Sequence, residues 1–121
     1  MTYLEKISDL YQQMANGQMM EAFEQYYHES VVVKEPTGET RNGKDAQRKA
    51  IHQWQANIKE FHGGGHDSIT ANEQEGITMV RSWTDVTFQD GRRMSLSEIA
   101  HQKWENDQIV EESFYYFVPN Q

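Results

Sequence analysis

Apolar positions near the start of the chain recur at helical spacing. Tyr3, Leu4, Ile7, Leu10, Tyr11 and Met14 form one stripe. Thr2 and Glu5 precede it as a Thr-x-x-Glu capping box, and Asn16-Gly17 ends it. A shorter helix is predicted over about residues 18–27, with Met20, Phe23 and Tyr27 on one face and Met19 and Tyr26 extending it. Val31-Val32-Val33 then breaks the helical period. Three β-branched residues predict a buried strand over Ser30–Glu35, closed by a turn at Pro36–Gly38. Asn42 is placed to cap a third helix, with Asp45 in its first turn. Its stripe is Ala46, Ala50, Ile51, Trp54, Ile58 and Phe61, and His62-Gly63-Gly64-Gly65-His66 reads as its stop.

Beyond this point the period shortens. Asp67–Asn72 predicts a short strand, Glu73–Gly76 a turn, and Ile77–Phe88 a long strand. Asp90-Gly91 is a strong hairpin signal, followed by strands over Arg92–Trp104 and Ile109–Val118. Helices segregated from a run of antiparallel strands define an α+β class. A long curved sheet folded around a helix layer buries both sets of stripes. No linker, repeat or low-complexity tract divides the sequence, so one domain over residues 1–121 is expected.

Hairpin register assigns side chains to faces. A two-residue Asp90-Gly91 turn would pair Trp83 with Glu98, Arg81 with Ala100 and Asp85 with Leu96. With a four-residue reach at the next turn, Glu112, Phe114 and Tyr116 join the same face. That face mixes Arg81, Trp83, Asp85, Glu98, Glu112, Phe114 and Tyr116, as a small-molecule site does. The opposite face, with Val80, Ser82, Thr84, Val86, Phe88, Ser97, Ile99 and His101, is milder and suits a dimer surface. A bulge would exchange the two faces.

Composition narrows the function. The net charge is −8 and no basic run exists, which disfavours nucleic acid and anionic membranes as partners. Fourteen aromatic-rich positions (three Trp, six Tyr, five Phe) can fill a core despite a hydrophobic content of only 36%. With no cysteine there is neither a disulfide framework nor a thiolate metal site. The first residues carry no basic-then-apolar leader pattern, so a cytoplasmic protein is the default expectation. The His62–His66 cluster lacks a third metal ligand at recognisable spacing, so no metal is expected there. As an oxyanion loop it lacks a Gly-x-Ser-x-Gly elbow, leaving a flexible connection or lid as its reading.

Three segments carry a family resemblance: Glu35-Pro36-Thr37-Gly38, Asn42-Gly43-Lys44 and Ile109-Val110-Glu111-Glu112-Ser113-Phe114-Tyr115-Tyr116. With the element order they resemble the ketosteroid-isomerase-like superfamily, which includes SnoaL-like polyketide cyclases and nuclear-transport-factor-like proteins. The resemblance covers essentially the whole chain. It implies a cone-shaped α+β barrel, a cystatin-like curved antiparallel sheet wrapped around helices with a pocket between them. It also implies homodimers through the sheet and no cofactor. Ketosteroid isomerase itself uses an Asp base with a Tyr and a protonated Asp as oxyanion donors. Glu35 matches that base, with Glu in place of Asp. Tyr11 lies near the oxyanion tyrosine, and the second donor falls at about Ala100, which cannot donate.

Two functions follow as expectations. In the first, Glu35 takes a proton from carbon in a small apolar, carbonyl-bearing molecule, and Tyr11, or a protonated Glu98 or Glu112, donates to the oxyanion. Trp54, Arg81, Trp83, Phe114 and Tyr116 would then line the ligand site. In the second, favoured by Ala100, the chain is a non-catalytic ligand-binding or dimerising module.

Overall fold

A computed structural model describes residues 1–116. The element order is α1 (Tyr3–Ala15), α2 (Met19–Tyr26), β1 (Tyr27–Lys34), β2 (Thr40–Asn42), α3 (Lys44–Asn57), β3 (Ile58–Asn72), β4 (Ile77–Phe88), β5 (Arg93–Glu105) and β6 (Gln108–Tyr116). The strands form one six-stranded sheet in the order β2-β1-β6-β5-β4-β3. All neighbours are antiparallel except β1 and β6, which run parallel. The fold is α+β, with the helices packed on one face of a curved sheet. The predicted end of the last strand at Val118 lies outside the described residues.

The capping box forms as read from sequence. Glu5 N–H donates to Thr2 Oγ1 at 3.1 Å, and Thr2 N–H donates to Glu5 Oε1 at 2.8 Å. The Glu73 carboxylate accepts from the Tyr3 and Leu4 amides, fixing the β3–β4 turn to the start of α1. The α1 and α2 stripes meet the sheet in one core: Ile7, Leu10, Tyr11, Phe23 and Tyr26 pack with Val31, Val33, Val80, Trp104 and Ile109. Burying such side chains stabilises the fold by about 1.5–3 kcal/mol each.

Five local expectations are corrected. The strand expected at Ser30 begins at Tyr27, directly after α2, because Tyr27 is itself buried and pairs with Ile109. Asn42 does not cap α3. Its backbone belongs to β2 opposite Val32, and Gly43 occupies the cap position without a side-chain bond. The third helix stops at Asn57 rather than Phe61, and Ile58 and Phe61 enter β3 instead.

The triple glycine is not a flexible connection. It lies inside the fifteen-residue edge strand β3, paired with β4 from Gly63↔Asp85 to Gly65↔Trp83. A Cβ added at Gly63 or Gly65 would sit 3.2 Å from the Trp83 ring, so the indole packs on bare backbone. At Gly64 the obstacle is the Trp83 carbonyl, 3.2 Å away, which cannot swing aside as a side chain can. Gly64→Val is therefore expected to lower stability by about 1–3 kcal/mol, read by denaturant unfolding.

The fifth correction concerns the β4–β5 hairpin and decides the site. Phe88 N–H donates to Arg92 O at 2.9 Å and Gly91 N–H to Phe88 O at 2.9 Å, with Gly91 at φ +89°. That is a three-residue loop ending in a left-handed glycine, not a two-residue turn. Register moves by one, so Trp83 pairs with Ser97, Arg81 with Ile99 and Asp85 with Ser95. A one-residue shift on one strand exchanges its faces relative to the partner.

Candidate active site

The corrected register separates the expected site residues. Glu98, Glu112, Phe114 and Tyr116 share the concave, helix-facing side: Glu98 pairs with Tyr116, Ala100 with Phe114 and Gln102 with Glu112. From β4 they are joined by Thr78, Val80, Ser82 and Thr84, which pair with Gln102, Ala100, Glu98 and Leu96. Arg81, Trp83 and Asp85 lie on the convex side. Arg81 pairs with Asp67 at 3.5 Å, not with either site glutamate, and Trp83 is 43% exposed over the glycines. Asp85 is held by Arg93 at 2.9 Å.

The concave face has a floor and a mouth. The floor is a buried polar chain. The Trp104 indole N–H donates to Thr78 Oγ1 at 2.9 Å, and the Thr78 hydroxyl donates to Gln102 Oε1 at 2.7 Å. The Gln102 amide then donates to Glu112 Oε2 at 2.8 Å, and the Tyr27 hydroxyl donates to Glu112 Oε1. Thr78 and Gln102 are wholly buried and Glu112 is 2% exposed. Burial raises the Glu112 pKa against the two hydrogen bonds that favour its ionised form. The Tyr27 phenol is pushed well up by burial and by the Glu112 charge.

Towards the mouth, Ser82, Thr84, Met94, Leu96, Glu98, Phe114 and Tyr116 are only half-buried. Glu98 faces this space with no hydrogen-bond or ion-pair partner among the described residues. Its pKa is pushed up to about 7, first by burial, then by the Glu112 and Glu35 charges. Tyr11 reaches the same region from α1. Its phenol is raised by burial and by the charges of Glu112 and Glu98. The Tyr116 phenol, opposite Glu98, is raised by burial and by the charges of Glu35 and Glu98. Trp54 on α3 is half-buried and packs edge-on against Phe88, ring centroids 5.5 Å apart.

Glu35 stands at the end of β1, partly buried, and its carboxylate is committed. Arg41 Nη2 donates to Glu35 Oε2 at 2.6 Å, while Arg41 Nε donates to Gln47 Oε1 at 2.6 Å and Nη1 lies 3.2 Å from Glu39. A charge-assisted bond to a guanidinium holds the carboxylate in place and turns that oxygen away from any other partner. Its charge still reaches Glu98, Glu112 and Tyr116. Glu98, unlike Glu35, has neither a hydrogen-bond nor an ion-pair partner among the described residues.

Glu112→Gln is expected to move the Glu98 midpoint down from about 7, because it removes the larger of the two like charges acting on it. The shift is read by following side-chain carboxyl resonances through a pH titration. Two open hollows lie elsewhere: about 380 Å³ bounded by Gln25, His28 and Glu105–Gln108, and about 110 Å³ over Thr70, Ala71, Asn72, Ile77 and Met79. Neither holds the paired acids.

The sequence matches the family model of the SnoaL-like domain over residues 1–116. The chain belongs to the SnoaL-like family. No functionally curated protein matches it. A Mesorhizobium loti protein provisionally assigned as a SnoaL-like polyketide cyclase superposes with a TM-score of 0.86 at 29% identity, covering 96% of this chain and 100% of that one. An NTF2-like protein of unknown function from Burkholderia pseudomallei gives 0.79 at 17% identity, covering 97% and 92%. A provisionally assigned isomerase from Bacillus subtilis gives 0.75 at 16% identity, covering 93% and 84%. The two more distant likenesses establish the shared cone fold alone. Among the described residues no helix of this SnoaL-like chain is long and apolar enough to cross a membrane.

Proposed function

We propose that this SnoaL-like protein is an acid–base enzyme of the isomerase or cyclase type, acting on a small, apolar, carbonyl-bearing molecule without a cofactor. The observation that carries the reading is Glu98: a half-buried carboxylate without a partner among the described residues, on the concave, helix-facing side of the sheet beside half-buried Ser82, Phe114 and Tyr116, with its pKa at about 7. A base poised near the working pH combines a useful ionised fraction with real basicity. Glu98 takes the role first given to Glu35. Glu112 and Glu35 tune it, and Tyr11 supplies a phenolic donor at the same space. Phe114, Tyr116 and Trp54 wall the cleft.

Nitrobenzisoxazole provides a direct test of a general base. Removal of its ring C–H proton sends the electron pair into a nitrile, breaks the N–O bond and releases a coloured phenolate. Saturable release is expected, with a rate rising through about pH 7 as Glu98 ionises. A rate that follows solution hydroxide alone would contradict the reading.

The alternative reading is a non-catalytic binding module. It is favoured by Ala100, fully buried at the centre of the concave face where a donor would complete an oxyanion pair. Dimerisation through the sheet belongs to either reading. The convex face exposes Met79 (41%), Trp83 (43%), Ile99 (44%) and Tyr115 (60%), residues of three adjacent strands. Ile99→Glu, which places a charge in that patch, is expected to convert a dimer to a monomer in sedimentation. A wild-type monomer at micromolar concentration would rule the dimer out.

A further inference from the structure

His62, read from sequence as part of a helix stop, sits at an irregularity of β3. Phe61 pairs with Val86 and Gly63 with Asp85, so His62 is the extra residue of a β-bulge. A bulge re-aims the side chain it frees. Here the imidazole turns onto β4, and its Nε2 lies 2.7 Å from Thr87 Oγ1. Its Nδ1 lies 3.6 Å from Glu60 Oε2. A ring nitrogen beside a carboxylate keeps the proton, so Nδ1 carries the N–H and Nε2 accepts from the Thr87 hydroxyl. The His62 side chain is 20% exposed and Thr87 is half-buried, so the pair is shielded but open to solvent.

A cation completes the cluster. One register row runs from Glu60 to Thr87 to Arg93 across β3, β4 and β5. Side chains directly opposite each other stand about 5 Å apart at Cβ, so Arg93 rises beside Thr87. Asp85, two residues before Thr87 on the same convex side, holds the guanidinium through Nε at 3.0 Å and Nη2 at 2.9 Å. Nη1 has no partner among the described residues. A hydroxyl, an imidazole, a carboxylate behind it and a free cationic N–H are the parts of an acyl-transfer centre, which is recognised by geometry and roles on any fold.

We propose that Thr87 is a nucleophile towards small activated esters, with His62 as its base, Glu60 positioning the imidazole and Arg93 facing the oxyanion. This site is separate from the concave face and does not depend on Glu98. Thr87 Oγ1 bonds to the ester carbonyl carbon as its proton passes to His62 Nε2. The C=O electron pair moves onto oxygen beside Arg93. That pair returns, the bond to the leaving alcohol breaks, and His62 gives the alcohol its proton. The acyl group stays on Thr87. Water then attacks the acyl carbon by the same route, releasing the carboxylic acid and restoring Thr87 and His62.

Nitrophenyl acetate is the probe. A burst of nitrophenolate approaching about one equivalent per chain is expected, with the acetyl group found on Thr87 by peptide mass spectrometry. Thr87→Val, which keeps a β-branched residue in the strand, should remove the burst, and Thr87→Ser should keep it. His62→Phe should slow the burst by about 100-fold. The nitrogen chemical shifts of His62 give a readout apart from activity. Wild type should show the Nδ1–H tautomer, and Glu60→Gln should return the ring towards the Nε2–H form that free histidine favours. Acetylation confined to lysine or histidine side chains, or a burst that survives Thr87→Val, would overturn the nucleophile. An Nε2–H tautomer in the wild type would overturn the base, whatever the variants do.

Discussion

Replacing Glu98 by Gln is expected to cut turnover by about two orders of magnitude or more while making the protein more stable at alkaline pH. The two effects have one cause. The Glu98 carboxylate is half-buried, faces two other carboxylates, and has no cation or donor beside it among the described residues, so ionising it in the fold is unfavourable. Its pKa is raised in the folded state to about 7 from an ordinary value of 4.5. An acid whose folded pKa is raised binds its proton more tightly when folded. The stability from that proton is fully present below about pH 4.5 and is lost as pH rises through about 7. Gln at this position removes the dependence. Thermal unfolding of both proteins should converge near about pH 5 and separate near about pH 8, with the variant ahead by on the order of 2 kcal/mol. Glu35→Gln should behave differently. It leaves Arg41 without one of its two acidic partners, so it should destabilise the β1–β2 turn and lower turnover far less than Glu98→Gln.

The largest loss of stability is expected from Gln102→Leu. The two side chains are close in size, but Gln102 links two buried groups. Its amide oxygen accepts from Thr78 and its amide nitrogen donates to Glu112. Leu leaves the Thr78 hydroxyl without its acceptor and Glu112 with Tyr27 as its one donor among the described residues. Orphaning a buried polar group costs about 1–3 kcal/mol, and more when the group carries charge. A total of about 3 kcal/mol or more follows, a fall in Tm on the order of 10 °C. The loss should be greater at alkaline than at acid pH, because the protonated Glu112 needs its donors less. An unfolding transition indistinguishable from wild type at both pH values would show that the floor of the cleft is not held by this chain of bonds.

Much of the fold is legible in the sequence because its signals are local. The capping box at Thr2–Glu5, the α1 stripe and the period-two strand Ile77–Phe88 need no tertiary information. The failures are where local pattern is outvoted. His62-Gly63-Gly64-Gly65-His66 has the composition of a loop, but Trp83 requires bare backbone beside it, and only the sheet reveals that. β2 is three residues of no apolar alternation, formed because β1 needs a partner on its free edge. The site was harder to read. Glu112, Phe114 and Tyr116 do share a face with Glu98, but through a register shift between Lys103 and Trp104 that the turn by itself does not produce. Arg81 and Trp83 were placed on the wrong side by one residue of loop length at Gln89–Gly91. Alternation at strand β4 carries the signal that could have corrected this: Val80, Val86 and Phe88 are apolar on the same phase, as a helix-facing side requires. The commitment of Glu35 to Arg41 depends on β2, and the sequence pattern held no sign of that strand.

The measurement closest to the central claim is a pH titration of the glutamate side-chain carboxyl carbons by NMR, in wild type and in Glu98→Gln. One resonance should titrate with a midpoint near 7 and be missing from the variant. If every glutamate carboxyl outside the buried Glu112 has titrated by about pH 5, Glu98 is an ordinary surface acid and the account of the site is wrong.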